Sequence, residues 1–547
     1  MNENKLEHSA AENAQEKQQG KSVAKSTATM SICTLISRIT GFVRTWAMAY
    51  AFGNTVLAAG YALANNLPNM IYELVAGGIL STAFLPIYLQ QRNVRGRKEG
   101  ALYANNLLSV AVLVLGIIAV LASIFAPQVM VTQSLFSKAS DATVEQAVFF
   151  FRFFAFQIVF YGMSAVFSGL LNAEREYFWP AISSVFMNII SIITFFGYPL
   201  ISANTSWGNT WIAIGVTLSI AVMAFIQVPK LIKTGFKIRP YINFKGEGLR
   251  DTVKLALPAI ICTCINLIAL SFMNSCALVV ADNGPSSIQY AWMWYQFPYG
   301  VLCVALSTAM FTEMSECTSR GDVQGYKKNV LSGLRSTFML IIPMAALVFV
   351  CASNLIGLYS AGKFTDDQIA PIALLLRGWA FVMPFYAAYM FLYRAYSSMK
   401  DLKTVTIVNF FLTIIQVTLY MALLGVFNKE FSLGLVGIAM ADFVFYGLAF
   451  SILLIIMVKR IGSIGFKTLL WPIVKVIIAS VIGAAICAVV SGICASIAGT
   501  SGGVLFNFIA LVISGLIGLV IIFVLCKLFK VSEITAFLNA ILRKIKH

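Results

Sequence analysis

The stretch Met30–Phe52, MSICTLISRITGFVRTWAMAYAF, is long and apolar enough to cross a bilayer as a helix, yet it carries Arg38 and Arg44. A guanidinium at the centre of a membrane helix costs about 2.5–3.5 kcal/mol on insertion scales, so it persists where it meets protein, water or a ligand rather than lipid. The two arginines are six residues apart. That is about 120° around a regular helix, so both reach one cavity only if it is broad or the helix bends. The next apolar run sets Asn65, Asn69, Tyr72 and Glu73 at helical spacing. One stripe of that helix is therefore polar and turns away from lipid, and the two helices together predict a lined, hydrated cavity.

Working outward, apolar residues make up 59% of the 547 residues and charged ones 11%, against about 25% charged in a soluble domain. Runs of roughly 20 apolar residues, the length that spans hydrocarbon, recur about fourteen times, near 28–52, 55–91, 103–126, 145–171, 178–202, 209–229, 255–281, 288–314, 333–359, 368–396, 404–426, 433–458, 468–495 and 504–529. The fold class expected is an all-α polytopic membrane protein of about 14 transmembrane helices. Lys and Arg concentrate in alternate connections, from Arg92–Lys98 to Lys459–Lys467. Positive short loops stay cytoplasmic, which places both termini there. The net charge of +17 then reads as orientation and contact with anionic lipid head groups, not as nucleic-acid binding.

Several chemistries lack their parts. The only histidines, His8 and His547, lie in polar tails, which removes His acid–base work and His metal ligation from the membrane region. The ten cysteines are scattered through apolar runs like small core residues, and no P-loop, GxSxG or HExxH pattern occurs. A transporter without cofactor or metal, not an enzyme, is the expectation.

The chain also repeats. Tyr61-Ala62, Pro68, Ser81–Phe84 and Tyr103–Ser109 have counterparts, in the same order, in Tyr290-Ala291, Pro298, Ser307–Met310 and Tyr326–Ser332. This predicts a disordered tail at 1–27, an N-lobe at 28–234, a cytoplasmic linker at 235–249, a C-lobe at 250–460, a final helix pair at 461–530 and a cytoplasmic tail at 531–547. Two six-helix lobes of equal orientation form a parallel repeat, with a substrate cavity between them.

Three blocks carry a family resemblance: Ser37–Arg44, Asn66-Leu67-Pro68-Asn69 and Gly78–Pro86. Together with Phe297–Val301, Gly362–Thr365 and Arg394-Ala395-Tyr396 followed by Asp401 and Thr404, they resemble the MurJ/MviN lipid II flippases of the multidrug/oligosaccharidyl-lipid/polysaccharide exporter superfamily. The resemblance implies a flippase of the bacterial cytoplasmic membrane that moves an undecaprenyl-pyrophosphate-linked peptidoglycan precursor outward by alternating access. It implies that Arg38 and Arg44 meet the pyrophosphate, as guanidinium forks suit phosphate oxygens, and that the last two helices form a lipid-tail groove. It also implies partnership with membrane lipids, a coupling ion and cell-wall synthesis proteins. The chain departs from the family pattern at three cavity positions, where it has Ala59, Tyr72 and Met293.

Other readings stand beside this one: a flippase for another lipid-linked oligosaccharide, an ion-coupled cation exporter, or a non-transporting envelope scaffold. Arg38 and Arg44 contact substrate or pair structurally with Glu73 or with helix-end carbonyls. Glu73 is an ion site or a counter-charge. Asn65 and Asn69 satisfy each other and the backbone freed by Pro68, or read a sugar. Gln296 hydrogen-bonds a glycan or belongs to aromatic packing. Arg377 and Asp442, both costly at membrane depth, form an intramembrane pair or an ion path. Lys475 snorkels to the inner face.

Overall fold

The computed structural model describes residues 32–73, 84–136, 141–204, 207–463, 465–498 and 503–531. The expected tails at 1–27 and 531–547 lie outside these residues, apart from Val531. The described parts of the fourteen apolar stretches are predominantly helix, and no strand occurs among the described residues.

In chain order the helices are α1 (residues 32–52), α2 (Val56–Glu73), α3 (Leu85–Arg95), α4 (Arg97–Ile124), α5 (Ala126–Val131), α6 (Asp141–Phe154), α7 (Gln157–Ala173), α8 (Phe178–Asn204), α9 (Gly208–Phe225) and α10 (Val228–Lys233). Then come α11 (Glu247–Val280), α12 (Gly284–Pro298), α13 (Val304–Arg320), α14 (Val323–Gly357), α15 (Ile369–Ser398), α16 (Leu402–Leu423), α17 (Val436–Ile461), α18 (Phe466–Ala498) and α19 (Val504–Leu528). Among the described residues nine helices are by themselves long and apolar enough to span a membrane. Two expected continuous runs are interrupted. The run at 145–171 breaks into α6 and α7, bent by 42°. The run at 288–314 carries a π-helical turn, Tyr299–Cys303, directly after Pro298, whose missing N–H cannot continue the α-helical ladder.

The described residues fall into two compact units. One is drawn from Met1–Met48, Ala64–Val129 and Val148–Thr263. Its core packs Phe84 and Tyr88 of α3 with Tyr103 and Leu107 of α4 and Phe167 and Leu171 of α7, and takes in Leu231, Phe236 and Leu249 at its rim. The other unit is drawn from Ala49–Leu63, Met130–Ala147 and Cys264–His547. Its core joins α13 to α18 through Val330, Leu334, Phe391, Tyr396, Leu453 and Ile473. Because lipid tails are as apolar as these side chains, van der Waals fit and interhelical hydrogen bonds hold such packing, not water exclusion.

In this second unit the α1–α2 turn is held by unusually close backbone contact. Gly53 has φ +64° and Gly362 φ +63°, and a Cβ on Gly53 would sit 2.2 Å from the Lys363 carbonyl oxygen, one on Gly362 2.4 Å from that of Tyr50. Lys363 N–H donates to the Tyr50 carbonyl at 3.1 Å, and the Tyr290 hydroxyl donates to the Gly53 carbonyl at 2.7 Å. Buried Asn54 bonds through backbone and side chain: its N–H donates to Gln368 Oε1 (2.8 Å), its carbonyl accepts from Asn283 Nδ2 (3.1 Å), its Nδ2 donates to Ser287 Oγ (2.9 Å), and its Oδ1 accepts from Ser286 Oγ (2.6 Å).

Substitutions here should show in the melting temperature of the detergent-purified chain. Gly53→Ala meets both a left-handed φ and the Lys363 carbonyl, and Asn54→Ala strands buried partners at about 1–3 kcal/mol for each, so both should lower it by several degrees. Gly116→Ala, a helix position with nothing within 4 Å, should leave it unchanged or raise it.

Candidate functional site

On α1, Ser37, Thr40 and Gly41 form the stripe that seats on α8. The Ser37 hydroxyl lies 2.9 Å from that of Ser184. Asn188 Nδ2 donates to the Ser37 carbonyl (3.2 Å) and to Thr40 Oγ1 (3.0 Å), and an added Cβ on Gly41 would come within 3.7 Å of that amide. Arg44, two turns beyond Ser37, continues this stripe and is half-buried. Arg38, about 100° from Ser37, is exposed. Among the described residues neither arginine has an acidic partner.

On α2, Asn69 Oδ1 accepts from the Tyr161 hydroxyl of α7 at 2.8 Å, and Tyr72 lies against the same ring, centroids 4.6 Å apart. Asn69 is thus met by α7 and not by Asn65, which is half-buried one turn earlier. Glu73 closes α2. Its side chain, and the Ser81-Thr82-Ala83 part of the repeat, lie outside the described residues.

The second unit holds a buried polar nucleus that sequence reading only half found. Asp442 of α17 is 5% exposed. Its Oδ2 accepts from Trp379 Nε1 (2.8 Å) and its Oδ1 from Gln416 Nε2 (2.8 Å) and the Tyr420 hydroxyl (2.5 Å). Arg377 does not pair with it: its guanidinium donates to Ser353 Oγ at 3.1 Å. Residue 377 lies two positions from Trp379, hence on a different face of α15, and Trp379 takes the place at the carboxylate. Gln296 exchanges hydrogen bonds with the Tyr386 hydroxyl, at 3.1 and 3.3 Å. The Tyr295 ring lies tilted against those of Trp379 and Tyr386, each centroid 5.3 Å away, and its buried hydroxyl has no hydrogen-bond partner among the described residues. Gln416 and Tyr420, four apart and so on one face of α16, were a readable signal. Trp379 and Tyr161 gave none, since an aromatic at helical spacing reads equally as packing.

Beside this nucleus an apolar cavity of about 760 Å³ opens among α14, α15, α17 and α18, lined by Phe349, Phe381, Phe385, Phe443, Ile477 and Val481, with Ser480 as its polar lining residue. Lys475, in the same helix as Ser480, donates from Nζ to the Phe529 carbonyl at 2.9 Å. A cation at the carbonyl end of α19 is well placed.

Asp401, in the Arg394–Thr404 segment, caps α16. It accepts from the Thr404 N–H (3.2 Å) and hydroxyl (2.7 Å) and is ion-paired with Arg460. Burial raises its pKa, but the hydrogen bonds from Arg460 and Thr404 together hold the carboxyl below its ordinary value. The cap is thus intact at neutral pH and is lost only as the pH falls below the usual carboxylate range.

Against known proteins, residues 48–527 match the family described as "Lipid II flippase MurJ". The chain belongs to that family. Among curated relatives, a "Probable lipid II flippase MurJ" of Buchnera aphidicola subsp. Schizaphis graminum is 27% identical over 396 residues, 72% of this chain and 76% of that protein. One of Borreliella burgdorferi is 23% identical over 457 residues, 83% of this chain and 87% of the relative. The fold is that of a solved structure described as "Lipid II flippase MurJ, inward closed conformation", with TM-score 0.74 and 21% identity over 91% of this chain and 98% of that one. An inward-facing MATE family multidrug transporter of the MOP superfamily also shares it, with TM-score 0.66 and 17% identity over 79% of this chain and 98% of that one. The chain is a multi-span membrane transporter, not an enzyme.

Asp442→Leu leaves three buried donors without an acceptor, at about 1–3 kcal/mol each, and should lower the melting temperature far more than Asp442→Asn, which retains one acceptor oxygen. Equal effects would mean that the three hydrogen bonds contribute little.

Proposed function

We propose that this chain carries lipid II, the undecaprenyl-pyrophosphate-linked peptidoglycan precursor, from the inner to the outer leaflet of the bacterial cytoplasmic membrane by alternating access. Both termini are cytoplasmic in this reading, as the alternation of basic loops requires, and the two units correspond broadly to an N-lobe and to a C-lobe with its final helix pair. The observation that carries the proposal is the pair of guanidiniums on α1: neither Arg38 nor Arg44 has an acidic partner among the described residues. A cation at membrane depth with no acidic partner among the described residues suits an anion that arrives, and a pyrophosphate offers the oxygens that guanidinium forks bind.

Family membership supports the substrate, and the apolar cavity at α14, α15, α17 and α18 suits a polyprenyl chain. Candidate contacts to sugar and peptide in this reading are Asn65, Asn69 and Glu73 in the first unit and Gln296 in the second. Asn69 and Gln296 each hold a tyrosine hydroxyl that a hydroxyl-rich ligand can replace. Asp442 is the place where a coupling proton or cation acts, with Arg377 a fixed charge nearby in sequence to Trp379. Cell-wall synthesis proteins are the natural recipients of the flipped product. Ala59, Tyr72 and Met293 favour one second reading, a flippase for a different lipid-linked oligosaccharide with the same pyrophosphate.

Expression in cells depleted of their own lipid II flippase tests this. The chain should restore growth, and Arg38→Ala with Arg44→Ala should abolish rescue at unchanged membrane abundance. Each single alanine should weaken binding of the pyrophosphate lipid about tenfold or more, the equivalent of a charge-assisted hydrogen bond of about 1.5–3 kcal/mol. Rescue by the double variant would refute the pyrophosphate role. Failure of the parent chain to rescue, with arginine-dependent pyrophosphate-lipid binding intact, would favour the second reading.

A further inference from the structure

The segment that follows α10 is not a slack tether. From Phe236 to Asn243 it runs extended along α4, held by backbone hydrogen bonds to three polar side chains. Asn105 Nδ2 donates to the Lys237 carbonyl (3.0 Å) and its Oδ1 accepts from the Arg239 N–H (2.9 Å). The Tyr241 N–H donates to Ser109 Oγ (3.1 Å). Asn106 receives the Asn243 N–H (2.6 Å) and donates to its carbonyl (2.9 Å). The contacts recur every second residue, as in a strand pair, with α4 side chains in place of a partner strand. Pro240, which has no N–H, falls at a position where none is used. Both asparagines are buried, at 5% and 4% exposure, and Tyr103 to Thr252 (2.6 Å) fastens the far end.

With its backbone fastened, the strap leaves its side chains outward. Ile238, Tyr241, Ile242 and Phe244 are all exposed, Phe244 by 61%, and Lys237, Arg239 and Lys245 alternate with them, exposed and without acidic partners among the described residues. Lys230, in α10, is by contrast paired with Glu176 at 2.7 Å. The strap starts where the membrane-crossing run Gly208–Lys233 ends, so it lies at the depth of the bilayer boundary. Aromatic and aliphatic side chains interleaved with cations at that depth fit a leaflet of anionic phospholipid, where the rings enter the head-group region and the cations meet phosphate.

We propose that residues 237–245 form a pre-ordered anchor that seats on the anionic phospholipid of the leaflet facing them. Because α4 already satisfies the strap backbone, docking needs no new secondary structure. The anchor is independent of what the transporter carries.

The test replaces Phe244 in the full-length chain with the photo-crosslinker p-benzoylphenylalanine, reconstitutes it in phosphatidylglycerol or phosphatidylcholine vesicles, and identifies adducts on the strap peptide by mass spectrometry. A phospholipid adduct should form in phosphatidylglycerol and fall several-fold in phosphatidylcholine, and likewise in the triple variant Lys237→Glu, Arg239→Glu, Lys245→Glu. Releasing the strap with Asn105→Ala and Asn106→Ala should also reduce it, with the melting temperature reporting that the rest stays folded. Adducts with protein in place of lipid, or equal lipid adducts in both vesicles and in the triple variant, would overturn the proposal.

Discussion

Hydrocarbon offers no hydrogen bonds, and the rest of the structure follows from where that rule is met inside the protein. Polar side chains on the spans are joined across helices: Asn188 to the α1 backbone, Tyr161 to Asn69, Trp379, Gln416 and Tyr420 to Asp442, Asn54 to the start of α12. Each fixes a helix pair that apolar contact alone would leave free to slide, since lipid competes equally for apolar surface. Against this background two arginines on α1, without acidic partners among the described residues, stand out, and the functional reading turns on them.

The helices were legible because hydropathy and length report directly on the bilayer; the described parts of the fourteen apolar stretches are predominantly helix. Their interruptions were less so. The break between α6 and α7 falls at Ala155-Phe156 without proline or glycine, so no local residue announces it, whereas the π turn after Pro298 had a visible cause. Of the candidate site residues, Arg38, Arg44 and Asp442 declared themselves by their cost in lipid. What each one touches did not, because Trp379 and Tyr161 come from helices distant in sequence, and Arg377, which looked the natural mate of Asp442, reaches Ser353. Asn105 and Asn106 appeared as part of an internal repeat; their work on the linker backbone was invisible, since it needs the chain to return to α4.

The two halves of that repeat have also diverged in chemistry. Where the first half has Asn105 and Asn106, the second has Lys328 and Asn329, and Tyr326, the counterpart of Tyr103, turns its hydroxyl to the Ala395 carbonyl at 2.8 Å. A duplicated scaffold thus keeps its helices while the polar fastenings on it are reassigned.

The π turn at Tyr299–Cys303 has a mechanical corollary. Such a turn winds about one residue more than α geometry needs, and each residue of an α-helix advances the next by about 100°. The one extra residue therefore sets which flank of α13, seventeen residues long, is turned toward its neighbours, about 100° round from where an unbroken α-helix would carry it.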